Sequence, residues 1–106
     1  QVQLYNPDLP IIITTPPDSY YKRRYYNINV NTVHAIEVEY AKKHNLAIWD
    51  LYSIAGGYKS FYQWKKYGLM QYDGMHFIRK GYEFQGDLFY EAIIKAYNKY
   101  VTTRPQ

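Results

Sequence analysis

An unbroken apolar run near the start of the chain does most to limit its fold. Residues 11–15, Ile-Ile-Ile-Thr-Thr, are all β-branched, and Pro16 and Pro17 end the run at once. A β-branched run without polar alternation predicts a strand buried on both faces, as in a parallel sheet. Residues 46–51, Leu-Ala-Ile-Trp-Asp-Leu, predict a second strand of the same kind.

Helical patterns surround the second run. Asn31 is a plausible N-cap for a helix to about His44, and Asn45 suits the left-handed position that ends such helices. Ser60 and Gln63 have the spacing of a capping box for a short helix that carries Phe61 and Trp64. Residues 81–100 form an amphipathic helix with one apolar stripe: Leu88, Phe89, Ala92, Ile93, Ala96, Tyr97 and Tyr100. We expect irregular structure at 1–10, a loop at 18–31 and fraying at 101–106.

The order strand, helix, strand, short helix, loop and long helix predicts an α/β domain with a parallel, right-handed crossover. Two such strands are too few for a stable sheet, which normally needs three or more. We therefore expect the 106 residues to be a partial domain, the second half of a doubly wound fold. The missing strands would come from an upstream segment, a companion chain or a second copy that covers the sheet edge.

Composition limits the function classes. There is no cysteine, so disulfides, thiolate metal sites and a cysteine nucleophile are excluded. The net charge of +4 falls short of a nucleic-acid signature without a concentrated patch, so we predict no nucleic-acid partner. No apolar run is long enough for a membrane span, and we expect no signal peptide within these residues. Gln1 in place of Met indicates a processed product or a fragment.

Asp73 and His76 are the residues that most suggest chemistry. They lie three residues apart, with Gly74 between them, just before the long amphipathic segment. In a tight loop Asp73 can accept the Nδ1 proton of His76, which leaves Nε2 free to take a proton from a nucleophile. Taken alone, the pair is better explained as a structural loop carboxylate with a surface or core histidine, and only the surrounding residues favour the catalytic interpretation.

The surrounding residues resemble the last conserved block of the SGNH (GDSL-type) hydrolases. The block Asp73-Gly-Met-His76-Phe is followed by Gly81-Tyr82 and a helix. The blocks before it that match are Trp49-Asp50-Leu51-Tyr52, Gly56-Gly57, Trp64 and Gly68-Leu69. They are similar to exported bacterial carbohydrate or peptidoglycan O-acetylesterases. The strand at residues 11–15 and the following Pro16-Pro17-Asp18 match the family's preceding strand.

The resemblance implies the C-terminal half of a flavodoxin-like, three-layer α/β/α domain with parallel strands. It implies a serine esterase that hydrolyses acyl esters, such as O-acetyl groups on carbohydrate, with His76 as base and Asp73 as its orienting acid. Trp64 and Tyr67 would line the substrate cleft, or merely seat the short helix. It also implies a periplasmic or secreted protein without a cofactor.

The blocks that carry the family's nucleophile and oxyanion hole, however, are absent from these residues. We therefore expect the chain to be inactive alone. The alternative is a non-catalytic module, derived from a hydrolase, that binds carbohydrate or another partner.

The remaining polar residues are better explained without catalysis. Ser19 and Ser53 follow the two predicted strands but lack a Gly-flanked turn, and Asp18 and Asp50 are expected to anchor loops. His34 and His44 are expected to be structural or solvated, and no His, Asp and Glu set has metal-ligand spacing. Residues 20–26, Tyr-Tyr-Lys-Arg-Arg-Tyr-Tyr, either stack on sugars or single-stranded nucleic acid, or pack as a loop against the sheet edge.

Overall fold

The computed structural model describes residues 1–105 and contains two compact units, Gln1–Phe61 and Tyr62–Gln106. The helices and strands are, in chain order, α1 (Val2–Tyr5), β1 (Ile12–Thr14), β2 (Tyr20–Tyr21), β3 (Tyr25–Tyr26), α2 (Ile28–Lys43), β4 (Ala47–Trp49), α3 (Leu51–Ile54), α4 (Phe61–Lys66) and α5 (Arg79–Thr103). None of these helices is long and apolar enough to cross a membrane.

The two predicted strands pair with each other in parallel. Ile12, Ile13 and Thr14 of β1 lie opposite Ala47, Ile48 and Trp49 of β4. The backbone N–H of Thr15 then donates to the carbonyl of Trp49 at 3.0 Å, which extends the ladder by one step. Because α2 lies between these strands in the chain, the parallel α/β arrangement predicted from the two apolar runs is confirmed.

The expected burial of these strands on both faces is wrong for this chain. The side chain of Ile12 is 54% exposed, and Ile48 is also exposed. Among the described residues the parallel sheet has only these two strands, so β1 and β4 each keep an unpaired edge. Parallel strands of this apolar composition are normally buried by helices and neighbouring strands, so their exposure indicates that some of these elements are absent.

Helix α2 begins four residues earlier than predicted. It starts after Asn27, because Asn31 is occupied elsewhere: its side-chain oxygen accepts from the hydroxyl of Tyr52 at 3.1 Å. Its end is confirmed. Asn45 has φ of +52°, and its N–H and that of the next residue donate back to the carbonyls of Lys42 and Ala41. This pair of bonds is a Schellman motif with asparagine in the left-handed position.

Asp50 and Leu51, which we predicted to lie in the second strand, instead begin a short helix. The side chain of Asp50 accepts from the backbone N–H of Ser53 at 3.2 Å, so the strand ends at Trp49 and α3 follows. A carboxylate that satisfies an orphan N–H at a helix start is a preferred N-cap. Residues 1–10, predicted to be irregular, likewise contain the single turn α1.

Residues 20–26, predicted to be a loop, form an antiparallel hairpin of β2 and β3, which we call the tyrosine hairpin. Its turn is closed by a hydrogen bond from the N–H of Arg24 to the carbonyl of Tyr21 at 3.1 Å. The two turn residues, Lys22 and Arg23, have φ of +51° and +60°. This turn normally takes Asn-Gly, and each side chain held there costs on the order of 1 kcal/mol. The sequence signal for a hairpin was therefore missing.

The second unit is built around α5, which begins at Arg79 and ends at Thr103. The fraying predicted from residue 101 is wrong up to that point, because the hydroxyls of Thr102 and Thr103 donate to carbonyls one turn back. Gln106 lies outside the described residues. In the predicted apolar stripe, Ile93, Tyr97 and Tyr100 are exposed rather than buried.

Candidate active site

Residues 69–78 form a closed loop in front of α5. Its ends are joined by a bond from the N–H of Ile78 to the carbonyl of Leu69 at 3.0 Å and by an antiparallel bridge between Met70 and Phe77. Inside this frame the N–H of Gln71 donates to the carbonyl of His76 at 2.8 Å. The chain therefore turns back on itself over the residues in between.

The loop turns at Gly74. Its φ is +65°, a conformation that side chains other than asparagine and aspartate rarely adopt, and its N–H donates to the carbonyl of Gln71 at 3.2 Å. The turn brings the side chain of Asp73 over the backbone that follows it. One carboxylate oxygen, Oδ1, accepts from the N–H groups of Met75 at 2.8 Å and His76 at 3.0 Å.

The second oxygen of Asp73, Oδ2, lies 2.6 Å from Nδ1 of His76. The hydrogen bond with the imidazole, together with the two backbone N–H groups, holds the pKa of Asp73 well below its usual range. An ionised carboxylate can only accept, so Nδ1 carries the proton and Nε2 is left as the basic nitrogen. The His76 side chain is 61% exposed, whereas that of Asp73 is largely covered. The pair thus has the tautomer and the accessibility that a general base requires.

Aromatic packing holds the loop on the helix. Phe77 is buried and meets Trp64 edge to face, with ring centroids 5.2 Å apart. Trp64 also contacts Phe84 of α5 at 5.4 Å. Gly81 lets the helix approach the loop, since a Cβ there would overlap the carbonyl oxygen of Leu69 and lie within 3.0 Å of Phe77. The loop that carries His76 is therefore held in place by packed aromatic side chains.

The two residues predicted to line the cleft lie in different surroundings. Trp64 is 8% exposed and belongs to the aromatic packing beneath the loop, a position that suits seating the short helix α4. Tyr67 is 75% exposed, just after that helix. Their role in substrate binding stays a prediction.

A second polar cluster lies at the carboxyl ends of β1 and β4. Asp50 Oδ1 accepts from the hydroxyl of Thr15 at 3.1 Å and lies 2.9 Å from His34 Nε2, which is 3.3 Å from the hydroxyl of Ser53. The pKa of Asp50 is lowered: burial raises it, but the hydrogen bonds from His34, Ser53 and Thr15 outweigh that cost. No local sequence pattern predicts the contact of His34 with Asp50, because the two residues are 16 positions apart in the chain.

This cluster resembles a catalytic triad in composition but not in geometry. Ser53 and Asp50 both contact Nε2 of His34, whereas in a catalytic triad the serine and the carboxylate contact different ring nitrogens. Because the ionised Asp50 needs a donor, Nε2 carries the proton and cannot deprotonate Ser53. The cluster anchors α3 and the strand ends, as the sequence predicted for Asp50.

Asp18 is the most deeply buried carboxylate described, at 2% exposure. Its Oδ2 accepts from the N–H of Phe61 at 3.4 Å, at the start of α4, while Oδ1 has no partner. Burial raises its pKa, and backbone N–H bonds from Phe61, Ser19 and Lys59 offset this only in part. Asp18 thus anchors the loop before α4. Across residues 1–105, no group of three or more His, Cys, Asp and Glu residues could hold a metal ion.

The parallel β1–α2–β4 arrangement matches a region of an α/β fold like that of the SGNH hydrolases. No protein-family model matches the sequence, and no curated protein matches it either. Among solved structures, the chain is similar to a peptidoglycan O-acetylesterase, with a TM-score of 0.83 and 20% identity over 92% of this chain. It is also similar to the esterase domain of the ORF1 protein from the zebrafish ZfL2-1 retrotransposon, with a TM-score of 0.64 and 20% identity over 89% of this chain.

At these identities the likeness concerns the fold. The chain spans 29% of the first structure and 51% of the second. The resemblance inferred from the sequence is thus confirmed at the level of the fold: the chain has the fold of a region of these two structures and is shorter than either protein.

Proposed function

We propose that this chain is the C-terminal part of an SGNH-type serine esterase and supplies its catalytic base. The observation that carries the proposal is the 2.6 Å contact between Asp73 Oδ2 and His76 Nδ1, which directs the basic Nε2 to an exposed position. The likeness in fold to two esterase structures supports the same reaction class.

The nucleophile must come from outside the unit that holds His76. Residues 62–106 contain neither serine nor cysteine. In the complete site, Nε2 of His76 would remove the hydroxyl proton of a serine as its oxygen attacks the ester carbonyl. The resulting imidazolium would be stabilised by Asp73 and would protonate the leaving alcohol. Water, deprotonated by the same nitrogen, would then release the acyl group and free the serine.

The proposed substrate is an O-acetyl ester on carbohydrate. The first neighbour is described as a peptidoglycan O-acetylesterase, and acetyl is an acyl group that needs no long apolar tunnel. Tyr67 offers an exposed aromatic face beside α4 on which a sugar ring could stack. We keep Trp64 as a supporting residue of that cleft.

The missing half of the domain also accounts for exposed apolar surface within each unit. Ile12 and Ile48 of the sheet are exposed in the first unit, and Ile93, Tyr97 and Tyr100 of α5 are exposed in the second. A complete doubly wound domain would cover both with further strands and helices. A second copy of this chain is the alternative cover, and the molar mass in solution separates the two.

The test begins with the coding sequence upstream, where we expect a Gly-Asp-Ser block. The 106-residue chain and the longer protein are then treated with a serine-reactive fluorophosphonate probe and assayed for acetate release from acetylated xylan. We expect labelling and turnover only in the longer protein, with turnover lowered about 10⁴-fold or more by His76→Ala. His44→Ala, which removes an exposed histidine at the end of α2, is the matched control and should leave turnover unchanged. Full activity of His76→Ala, or no upstream block, would contradict the proposal.

A further inference from the structure

We propose that the tyrosine hairpin and Lys59 form a docking surface for an acidic polysaccharide. The choice of a polysaccharide rests on the proposed function, whereas the surface itself follows from the geometry of the first unit.

The hairpin has an inner and an outer aromatic face. Tyr20 and Tyr26 are paired across the strands, and Tyr20 packs on the buried ring of Phe61 with centroids 4.0 Å apart. Tyr21 and Tyr25 form the next pair, so their side chains project from the opposite face. They are 48% and 58% exposed. The inner pair, in which Tyr20 packs on Phe61 and Tyr26 is itself 45% exposed, thus supports two tyrosines side by side on the outside, where each combines a flat apolar face with a hydroxyl.

Four cations belong to this surface: Lys22, Arg23 and Arg24 join the two strands of the hairpin, and Lys59 lies beside Tyr26 of the inner pair. Lys22 Nζ lies 5.3 Å from the ring centroid of Tyr21, and Lys59 Nζ lies 4.7 Å from that of Tyr26. Within the described residues none of the four forms a salt bridge. Residues 19–36 contain no aspartate or glutamate, so no acidic side chain of the hairpin itself offsets these charges. Such a surface favours an anionic partner with flat faces.

The backbone indicates that these cations are placed at a cost. Four non-glycine residues among those described have positive φ: Lys22, Arg23, Asn45 and Lys59. Asn45 ends α2, a position where asparagine is common. The other three are cations of this surface. A chain selected for stability alone would carry Asn-Gly at the hairpin turn, so strained lysine and arginine here point to a binding role.

An acidic polysaccharide fits this surface better than single-stranded nucleic acid. The outer rings are both tyrosines, whose hydroxyls can bond to sugar hydroxyls while their faces stack on the pyranose ring. Uronate carboxylates would pair with the turn cations.

The test measures binding by isothermal titration calorimetry with three probes: polygalacturonate, neutral dextran and a twenty-residue oligothymidylate. We expect polygalacturonate to bind, with weaker binding as salt is raised from 50 to 200 mM because exposed charges are screened. Dextran and the oligonucleotide should bind at least about tenfold more weakly. No binding of polygalacturonate, equal binding of dextran, or tighter binding of the oligonucleotide would each overturn the proposal.

Two variants separate binding from folding. Lys22→Asn with Arg23→Gly replaces the strained turn by the preferred one, so it should raise the melting temperature while weakening polygalacturonate binding about tenfold. Tyr21→Ala with Tyr25→Ala should weaken it at least as much. Lys42→Gln with Lys43→Gln removes the same charge from the end of α2 and should change affinity less than about twofold. An unchanged affinity in a hairpin variant, or an equal loss in the control, would overturn the inference.

The binding test and the test of the proposed function can fail separately. Binding is measured without turnover, and His76→Ala leaves the hairpin untouched. A protein that hydrolyses acetyl esters but binds no polygalacturonate would overturn only the docking surface. A protein that binds it without His76-dependent turnover would overturn only the esterase proposal.

Discussion

Replacing Gly81 by alanine tests whether close approach of α5 holds the candidate catalytic loop in place. The added Cβ would overlap the carbonyl oxygen of Leu69 and would lie 2.9 Å from Cδ1 of Phe77. The ring can shift slightly, but the backbone oxygen cannot, because it accepts the bond from Ile78 that closes the loop. The loop must therefore move away from the helix.

The expected cost is about 3 kcal/mol. Overpacking of this kind costs about 1–3 kcal/mol, and a rigid backbone contact places it at the upper end. The strained loop-closing hydrogen bond adds about 1 kcal/mol, while alanine recovers somewhat under 1 kcal/mol of helix propensity. For a chain of this size the melting temperature should fall by roughly 10–20 °C.

Gly86 provides the matched control on the same helix. It is exposed, and a Cβ there would meet nothing within 4 Å. Gly86→Ala should therefore stabilise the chain by about 0.5–1 kcal/mol. Thermal unfolding followed by circular dichroism measures both variants, and amide NMR should show shifts at 69–78 for Gly81→Ala alone. A melting temperature for Gly81→Ala within about 2 °C of the parent would refute the role assigned to this contact.

Other consequences of the polar contacts can be measured in the same way. Asp73→Asn should lower the turnover of the complete enzyme by about 10²–10⁴-fold, because His76 loses the acceptor that fixes its tautomer; unchanged turnover would contradict this. Because the folded-state pKa of Asp73 is depressed, its contribution to stability is present above about pH 4 and shrinks on acidification. The difference in free energy of unfolding between the parent and Asp73→Asn should therefore become smaller below pH 4. Asp18 has a raised pKa, so its contribution to stability should instead fall as pH rises above about 4. The free energy of unfolding of Asp18→Asn should therefore increase relative to that of the parent towards neutral pH. Tyr52→Phe, which removes the bond to Asn31, should cost about 1 kcal/mol in urea unfolding.

The sequence predicted those parts of the fold that depend on local patterns. A β-branched run ended by two prolines and a second apolar run were enough to predict the parallel pair of strands, and Asn45 was enough to predict the end of α2. The geometry of Asp73 and His76 was also foreseeable, since three residues and one glycine determine it.

Features that depend on distant partners were not predictable in this way. Asn31 looked like a helix start, but its side chain is taken by Tyr52, 21 residues away. The tyrosine hairpin was missed because its turn uses Lys22 and Arg23 in a conformation that such residues seldom adopt. The exposure of Ile12 depends on how many strands the sheet has, which the two apolar runs alone do not determine.

The loop that carries Asp73 and His76 has a kinetic consequence. Within the described residues, every hydrogen bond to the Asp73 carboxylate comes from a donor at most three residues away in the chain. Contacts of such low sequence separation close on the order of 10–100 ns, far faster than a domain folds. The histidine can thus reach its working orientation on a nascent or divided chain, before a nucleophile arrives. Under the proposed function, a segment that brings in a serine would meet an imidazole already oriented, so its association would be limited by docking and not by the assembly of this pair.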